Sequence, residues 1–199
     1  MTDDMRELVY RILTLQSQLD DEIETRRKSF GSALHGKAVE FENEIIRQHR
    51  QMRQGIGQFL RESDVPSVLV APICYSMLVP IVLIDLWATI YQHICFRAYR
   101  IPRIRRSDHV IIDRHRLQYL NGIEKLNCVY CGYGNGVIGY VRAIAGATEQ
   151  YWCPIKHALR VTDPHDRYME FLDYGDAEGY RRRLQQFRDR LTQKLGKAP

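Results

Sequence analysis

A run of 20 residues from Val65 to Ile84 contains no charged side chain. Its length and apolarity meet the requirement for a helix that crosses the hydrocarbon core of a bilayer. Three prolines, Pro66, Pro72 and Pro80, disfavour a single straight span, and Asp85 after the run is costly in hydrocarbon unless another group pairs with it. The run therefore predicts either a membrane-associated helical segment or a helical hairpin buried in a soluble core.

Basic residues follow the apolar run and indicate how it would meet a membrane. Five arginines precede the next acidic residue, Asp108: Arg97, Arg100, Arg103, Arg105 and Arg106. Arginines beside an apolar segment are typical of the cytoplasmic side of a membrane, and they suit anionic lipid head groups. The aromatic residues Trp87, Tyr91 and Phe96 lie between the run and the arginines, and such residues suit a membrane interface.

The segment that precedes the run argues against a simple crossing. Residues 1–64 carry 22 charged side chains, and their acidic, polar start lacks the features of a cleavable signal peptide. Moving such a segment across a bilayer is unfavourable, so both flanks of the run are expected on the cytoplasmic side. We therefore expect the apolar run to form a re-entrant or in-plane hairpin rather than one clean span.

Apolar residues recur through residues 1–62 with steps of mostly three and four positions, which is the helical period. They are Leu8, Ile12, Leu15, Leu19, Ile23, Phe30, Leu34, Ala38, Phe41, Ile45, Met52, Ile56 and Phe59. The pattern predicts a long amphipathic helical arm, or a helical hairpin joined near Gly31 to Gly36. Because an apolar stripe has to pack against something, residues 8–59 are expected to bind a protein partner or a second copy, or to pack on their own chain. Strict heptads are not kept, which favours a hairpin or a bundle over a two-stranded coiled coil.

Four residues in two pairs form the inventory of a metal site. Cys128 and Cys131 are three positions apart, and Cys153 and His157 are four positions apart. Three thiolates and one imidazole suit a tetrahedral zinc ion, and a site filled by four protein ligands is structural rather than hydrolytic. The total of five cysteines is odd, which disfavours a disulfide framework, and thiolate ligands require a reducing compartment.

The two spacings predict the geometry of this site. Gly132 after Cys131 permits a tight turn at the first pair. Pro154 suits the first turn of a helix that carries Cys153 and His157 on one face and favours the thiolate form of Cys153. Three other interpretations stay open: ordinary buried cysteines, an iron–sulfur cluster on the same ligands, and a redox Cys-x-x-Cys, for which the sequence offers no βαβ context.

The remaining sequence predicts helices and loops rather than a catalytic site. The glycine-rich sequence between the metal pairs lacks the spacing of a phosphate loop and predicts a helix. No feature fixes the geometry of His109, Asp113 and His115, so we interpret them as surface residues. A final amphipathic helix has a basic face, which suits a membrane surface or a docking role and equally a solvated face. Its apolar and basic residues are Tyr180, Leu184, Phe187, Leu191 and Leu195, with Arg181, Arg182, Arg183, Arg188, Arg190 and Lys194.

Residues 126–160 carry two resemblances. The knuckle Cys128-Val-Tyr-Cys131-Gly, with a second pair at a helix start, resembles the treble-clef class of zinc sites. The sequences Leu126-Asn-Cys-Val-Tyr-Cys-Gly-Tyr-Gly-Asn-Gly136 and Tyr151-Trp-Cys-Pro-Ile-Lys-His157 resemble a family of bacterial membrane-associated proteins with no established activity. This second resemblance implies a bacterial origin and adds no catalytic residue. With the arginines after the apolar run, a bacterial origin leads us to expect the membrane contact at the inner membrane and the metal module on the cytoplasmic side.

Together these patterns predict a mainly α-helical chain in three parts. Residues 1–64 form a helical arm, residues 65–106 an apolar membrane-associated segment, and residues 107–199 a zinc-stapled module with a basic C-terminal helix. The expected function is a membrane-associated adaptor or assembly factor rather than an enzyme, with zinc as its cofactor. A membrane-bound iron–sulfur redox protein and a soluble zinc protein that binds nucleic acid are the alternatives. Nucleic acid is the weaker partner, because the arginines lack interleaved aromatics and a reading helix.

Overall fold

The computed structural model describes residues 3–29, 32–35, 38–41 and 43–192. The described chain is mainly helical, as predicted, and it contains one long apolar helical segment. It divides into two compact units, of which the first comprises residues 1–62 and 113–125, and the second comprises residues 63–112 and 126–199. The apolar segment therefore belongs to the same unit as the cysteine-containing sequence, whereas the sequence suggested two separate parts.

The first unit begins with helix α1, Asp3–Ser29, and an antiparallel hairpin follows it. Strand β1 is Ser32–His35 and strand β2 is Ala38–Phe41, with Ser32 opposite Phe41. Helices α2, Asn43–Gln51, and α3, Ile56–Glu62, complete the N-terminal part. The sequence predicted a long helix here, or two helices joined near Gly31 to Gly36, and this is wrong for residues 32–35 and 38–41, which form strands. Gly31 precedes the first strand and Gly36 lies between the two, and glycine disfavours helix.

Helix α1 leaves much of its apolar stripe in water. Leu8, Ile12, Leu15 and Leu19 are each more than half exposed, and Ile23 is nearly so. Thr14 and Thr25 bond back to carbonyls one turn earlier on the same helix. The expected partner for this stripe stays a prediction.

The second unit begins with a nearly continuous run of helix over residues 65–99, which we call the apolar helix. It consists of α4, Val65–Ser76, α5, Leu78–Tyr91, a π-helical turn, Gln92–Phe96, and α6, Arg97–Tyr99. Arg100 then ends the run with a left-handed backbone at φ 57°.

The prolines of the apolar helix fit its geometry. Pro66 and Pro80 lie in the first turns of α4 and α5, where a missing N–H costs nothing. Pro72 lies inside α4, and α4 ends one turn later at Ser76. The predicted re-entrant or in-plane hairpin is not formed, because the helix is nearly continuous over residues 65–99 and is interrupted only by a turn at Met77, between α4 and α5.

The second long helix is α8, Gly122–Trp152. Asn121 caps it, because its Oδ1 accepts the N–H groups of Ile123 and Glu124 at 3.0 Å each. Glu124 Oε2 accepts the N–H of Asn121 at 2.8 Å in return, which completes a reciprocal capping box. A short helix, α7, Arg106–His109, lies in the connection between the apolar helix and α8.

The core of the second unit joins its two long helices to the C-terminal helix α9, Ala177–Thr192. Its main cluster of buried residues contains Phe96, Ile101, Tyr140, Ile144, Ala147 and Leu191. A second cluster contains Phe171, Leu172 and Phe187, and Leu172 also forms a parallel bridge with Ile155. Asp176 caps α9, accepting the N–H of Gly179 at 2.8 Å.

Candidate functional site

The apolar helix presents large hydrophobic side chains that the described chain does not cover. No residue of α4 is buried, and Leu69, Ile73 and Trp87 are 70 to 73% exposed. We call this set the apolar surface: Val65, Val68, Leu69, Val70, Ile73, Met77, Leu78, Val79, Val82, Leu83, Ile84, Leu86, Trp87, Ile90 and Ile94. Within the described residues, the segment Val65–Tyr99 is long and apolar enough to cross a membrane, judged by length and composition alone.

Only a narrow stripe of the apolar helix faces protein. Its less exposed residues recur at about every helical turn: Ala71, Tyr75, Ile81, Asp85, Ala88, Thr89, Tyr91, Gln92, Cys95 and Phe96. Several members of this stripe are polar, whereas the exposed surface is apolar. A helix that packs on a soluble core shows the opposite pattern, with its apolar stripe inward.

Asp85 is the buried residue of α5, and an arginine pairs with it. Arg106 donates from Nε to Asp85 Oδ1 at 3.0 Å and from Nη2 to Oδ2 at 2.7 Å. Tyr133 Oη donates to the same Oδ2 at 2.9 Å, and the guanidinium lies 5.8 Å from the Tyr133 ring centre. The hydrogen bond to Asp85 raises the pKa of Arg106, and burial is the main cause that raises the pKa of Tyr133. The expected partner of Asp85 is thus present.

A second polar contact lies two turns further along the apolar helix. The buried amide of Gln92 bonds both backbone groups of Ile104, accepting its N–H at 3.1 Å and donating to its carbonyl at 3.3 Å. Gln92 also donates to Tyr140 Oη, which lies 3.4 Å from Thr89 Oγ1. These bonds fix the chain after the apolar helix against its inward stripe.

A third polar contact involves the first part of the apolar helix. Tyr130 Oη donates to the carbonyl of Cys74 at 2.7 Å, and Tyr75 Oη donates to Asn127 Oδ1. On α8, Tyr75 bonds Asn127 and Gln92 bonds Tyr140, so residue numbers on α8 increase with residue numbers on the apolar helix. The apolar helix and α8 therefore run in the same direction.

Gly136 allows the connection between the two helices to lie directly on α8. A Cβ at this position would be 2.7 Å from Val110 Cα and 2.8 Å from the His109 carbonyl oxygen. A Cβ at Gly134 would lie 3.4 Å from Cδ1 of Ile81 on the apolar helix, which is an ordinary van der Waals contact. The glycine-rich sequence is therefore a close-packing helix face; the predicted helix after Gly136 is present, but the glycines before it are helical rather than part of a turn.

Aromatic residues gather where the two long helices end. The ring centre of Tyr99 lies 5.2 Å from the ring centres of Tyr151 and Trp152. The ring centres of Tyr151 and Trp152 are 5.4 Å apart. Arg188 of α9 donates to the Tyr151 carbonyl at 3.0 Å and lies 5.0 Å over its ring. Clustered tyrosine, tryptophan and arginine are typical of a membrane interface.

The predicted metal ligands do not converge in this structure. Cys128 and Cys131 lie on α8, and Cys153 follows directly after its end, with Cys153 N–H still bonded to the Glu149 carbonyl. The 22 positions from Cys131 to Cys153 correspond to about 33 Å of helix. Among residues 3–29, 32–35, 38–41 and 43–192, no group of three or more histidine, cysteine or acidic residues is placed to hold an ion.

Two local predictions for the metal module are wrong. The first cysteine pair forms part of a helical turn, not a tight knuckle, and Gly132 is a buried helical residue. No helix begins at Cys153 in the described chain; Pro154 and Ile155 are followed by an irregular segment in which His157 stacks on Tyr168. Burial, with a smaller contribution from Glu149, raises the pKa of Cys153, whereas a helix N-terminus would lower it. Zinc, or an iron–sulfur cluster, stays a prediction, which elemental analysis of the purified protein tests.

The structure also contains a polar contact that the sequence did not indicate. His165 Nε2 lies 2.8 Å from Glu149 Oε2, and its Nδ1 accepts the N–H of Arg167 at 3.2 Å. Because Nδ1 accepts, the proton lies on Nε2 and points to Glu149. Arg167 in turn donates to Gln150 at 2.7 Å. These contacts join α8 to the following loop, and nothing in the sequence predicted them, because Glu149 and His165 are 16 positions apart.

The histidines and the aspartate that we interpreted as surface residues fall in both units. His109 is half-buried, with its ring 6.2 Å from that of Tyr140. Asp113 and His115 belong to the first unit, where His115 Nδ1 is buried without a hydrogen-bond partner among the described residues.

The chain matches no protein-family model, no curated protein sequence and no solved structure. The resemblances to the treble-clef class and to a bacterial family stay predictions. The function is therefore argued from the exposed apolar surface and from the contacts behind it.

Proposed function

We propose that this chain is a membrane-associated adaptor that docks on an anionic bilayer through the apolar surface. The observation that supports it is the 39 to 73% exposure of large hydrophobic side chains along residues 65–94. Monomeric soluble proteins rarely expose a contiguous apolar patch larger than a few hundred Å². Each of these side chains would gain on the order of 1 kcal/mol on entering an apolar environment, since each is roughly half exposed.

Charge favours the same partner. Exposed arginines follow the apolar surface directly: Arg97, Arg100, Arg103 and Arg105, whereas Arg106 pairs with Asp85. Each basic side chain near an anionic membrane surface contributes about 1 kcal/mol to binding. The chain as a whole has a net charge of +5 and a pI of about 9.0, which also favours an anionic surface. We extend the proposal to the cytoplasmic leaflet of a bacterial inner membrane, because arginine excess is typical of that side.

The adaptor role rests on a second exposed surface of a different kind. In the first unit, Leu8, Ile12, Leu15 and Leu19 form a narrow stripe on α1 between charged side chains. A narrow stripe with charged flanks suits a helix of a protein partner, whereas the broad apolar surface suits lipid. One unit then binds the membrane and the other binds a protein partner or a second copy.

Flotation with lipid vesicles tests the proposed docking. We expect the full-length protein to float with anionic vesicles and to bind neutral vesicles less tightly. The substitution Leu83→Glu should weaken binding about 30-fold, because it removes about 2 kcal/mol of apolar burial. Leu159→Glu is the matched control, since Leu159 is 84% exposed but lies in a loop outside the apolar surface.

Two results would contradict the proposal. One is wild-type protein that stays in the aqueous fraction with every vesicle composition. The other is equal binding of Leu83→Glu and Leu159→Glu when circular dichroism shows unchanged helix content in both variants.

A further inference from the structure

The polar contacts behind the apolar helix bear on how this helix would lie in a bilayer. They occur at Tyr75, Asp85 and Gln92, and every partner comes from α8 or from the connection before it. Tyr75 and Gln92 are 17 positions apart, which corresponds to about 26 Å along the helix axis. The hydrocarbon core of a bilayer is about 30 Å thick. A crossing helix would therefore hold polar partners at several depths of the core.

A crossing by the most apolar window, residues 65–84, would bury the start of α8. Tyr75 is at the centre of this window, and it bonds Asn127 of α8. Glu124 and Lys125 precede Asn127 within one turn of the same helix. The middle of the hydrocarbon would then receive two charged side chains and a helix start, and both are costly there.

A crossing by the later window, residues 77–96, would also place charged side chains in the hydrocarbon. Its centre is next to Asp85, so the Asp85–Arg106 pair would lie at the middle of the bilayer. The neighbours Arg105 and Asp108 are exposed, not covered by protein. Lipid-exposed charges and irregular backbone do not occur at that depth.

An orientation in the plane of the membrane removes both conflicts. The apolar surface then enters the acyl region along its whole length, while the stripe from Tyr75 to Gln92 faces the protein and water. We infer that the apolar helix lies within one leaflet and does not cross the bilayer, with the Asp85–Arg106–Tyr133 contact on its water side. This inference rests on the proposed membrane docking. Its partner is the acyl region of a single anionic leaflet.

Tryptophan depth measurements test this orientation. The chain has two tryptophans, so Trp152→Phe leaves Trp87 as a single probe. With Trp87→Phe added, single tryptophans are placed by Leu69→Trp, Leu83→Trp or Ile94→Trp, at positions that are exposed and outside the core. Each full-length variant is bound to anionic vesicles whose lipids carry bromine at defined acyl positions.

In-plane binding predicts that all four tryptophans are quenched most strongly by the same shallow bromine position. A crossing helix predicts different depths, because Leu69 and Ile94 are separated by about 37 Å of helix axis. A steady change of depth with residue number would overturn the inference while leaving the membrane docking intact. The absence of quenching at every position would overturn the docking itself. Circular dichroism confirms that each variant is folded.

Protease protection gives an independent measurement on the unmodified protein. When the protein is added outside sealed vesicles, in-plane binding leaves residues on both sides of the apolar helix open to the protease. A protected fragment that contains residues 1–64 would show that this segment had crossed, and it would overturn the inference.

Discussion

The apolar helix and α8 are nearly equal in length, but they expose and bury opposite kinds of side chain. The apolar helix directs large side chains such as Leu69 and Trp87 outward and keeps Asp85 buried. Helix α8 has much smaller residues on its buried face, among them Gly134 and Gly136, and protein backbone approaches it closely. The comparison shows that hydropathy identifies the helix whose large side chains the described chain leaves uncovered, whereas side-chain volume identifies the helix that forms the packing centre.

The largest expected change in stability tests how closely residues 109 and 110 pack on α8. Gly136→Ala should lower the free energy of unfolding by about 2–3 kcal/mol, because its Cβ would overlap Val110 and the His109 carbonyl. Gly139→Ala is the control on the same helix, since its Cβ would be 3.7 Å from His109 Nδ1. That variant should gain up to about 1 kcal/mol from helix propensity. Urea unfolding followed by circular dichroism measures both, and equal effects would show that α8 is not packed this closely.

The next effect tests the polar side of the apolar helix. Asp85→Asn should lower the free energy of unfolding by about 2 kcal/mol, because it removes a charged acceptor of three donor atoms. A double-mutant cycle with Arg106→Gln should show that the two losses are not additive. Asp163→Asn, at an exposed pair with Arg142, is the control and should change stability by less than about 0.5 kcal/mol. Additive losses at Asp85 and Arg106 would contradict the contact.

A smaller loss of stability is expected when the Tyr140 hydroxyl of α8, which bonds the apolar helix, is removed. Tyr140→Phe should cost about 1 kcal/mol, because the buried ring stays while its bonds to Gln92 and Thr89 are lost. Tyr174→Phe, at a 71% exposed tyrosine, should leave the thermal midpoint unchanged. If both variants unfold at the wild-type temperature, the shared hydroxyl contributes nothing.

The smallest change in stability is expected at an ion pair that lies outside both long helices and serves as a reference. Lys156 donates to Asp173 at 2.9 Å, and this bond lowers the pKa of Asp173. A lowered pKa in the folded state means that the contribution is present at neutral pH and is lost as the pH falls through that pKa. Asp173→Asn should therefore cost less than about 1 kcal/mol at pH 7 and nothing in acid. Thermal unfolding at several pH values measures this, and a cost that grows on acidification would contradict it.

The two helices differ in how far the sequence predicted them. A charge-free run of 20 residues predicted the apolar helix, because few structures accommodate such a run. The need of Asp85 for a partner followed from the same argument. Its identity as Arg106 did not, because the two are 21 positions apart and only the tertiary fold joins them.

The cysteine pairs were ambiguous for a physical reason. A spacing of three positions places Cys128 and Cys131 together in a knuckle, but it also places them on one face of an ordinary helix. The choice between these depends on the neighbouring residues, and the glycines after Cys131 are used for packing on α8. Likewise, the apolar spacing over residues 32–41 fitted a helix, although the segment forms a hairpin.

The break at Met77 divides the apolar helix into parts with different anchoring. Helix α5 holds buried Asp85 and continues to Gln92 and Phe96, whereas α4 has no buried residue. Releasing α4 therefore breaks the contacts of Tyr75 and of the Cys74 carbonyl but opens no core. In hydrogen-exchange terms, the amides of α4 should open locally and exchange well before those of α5. We therefore expect the twelve residues of α4 to open while the rest of their unit stays folded.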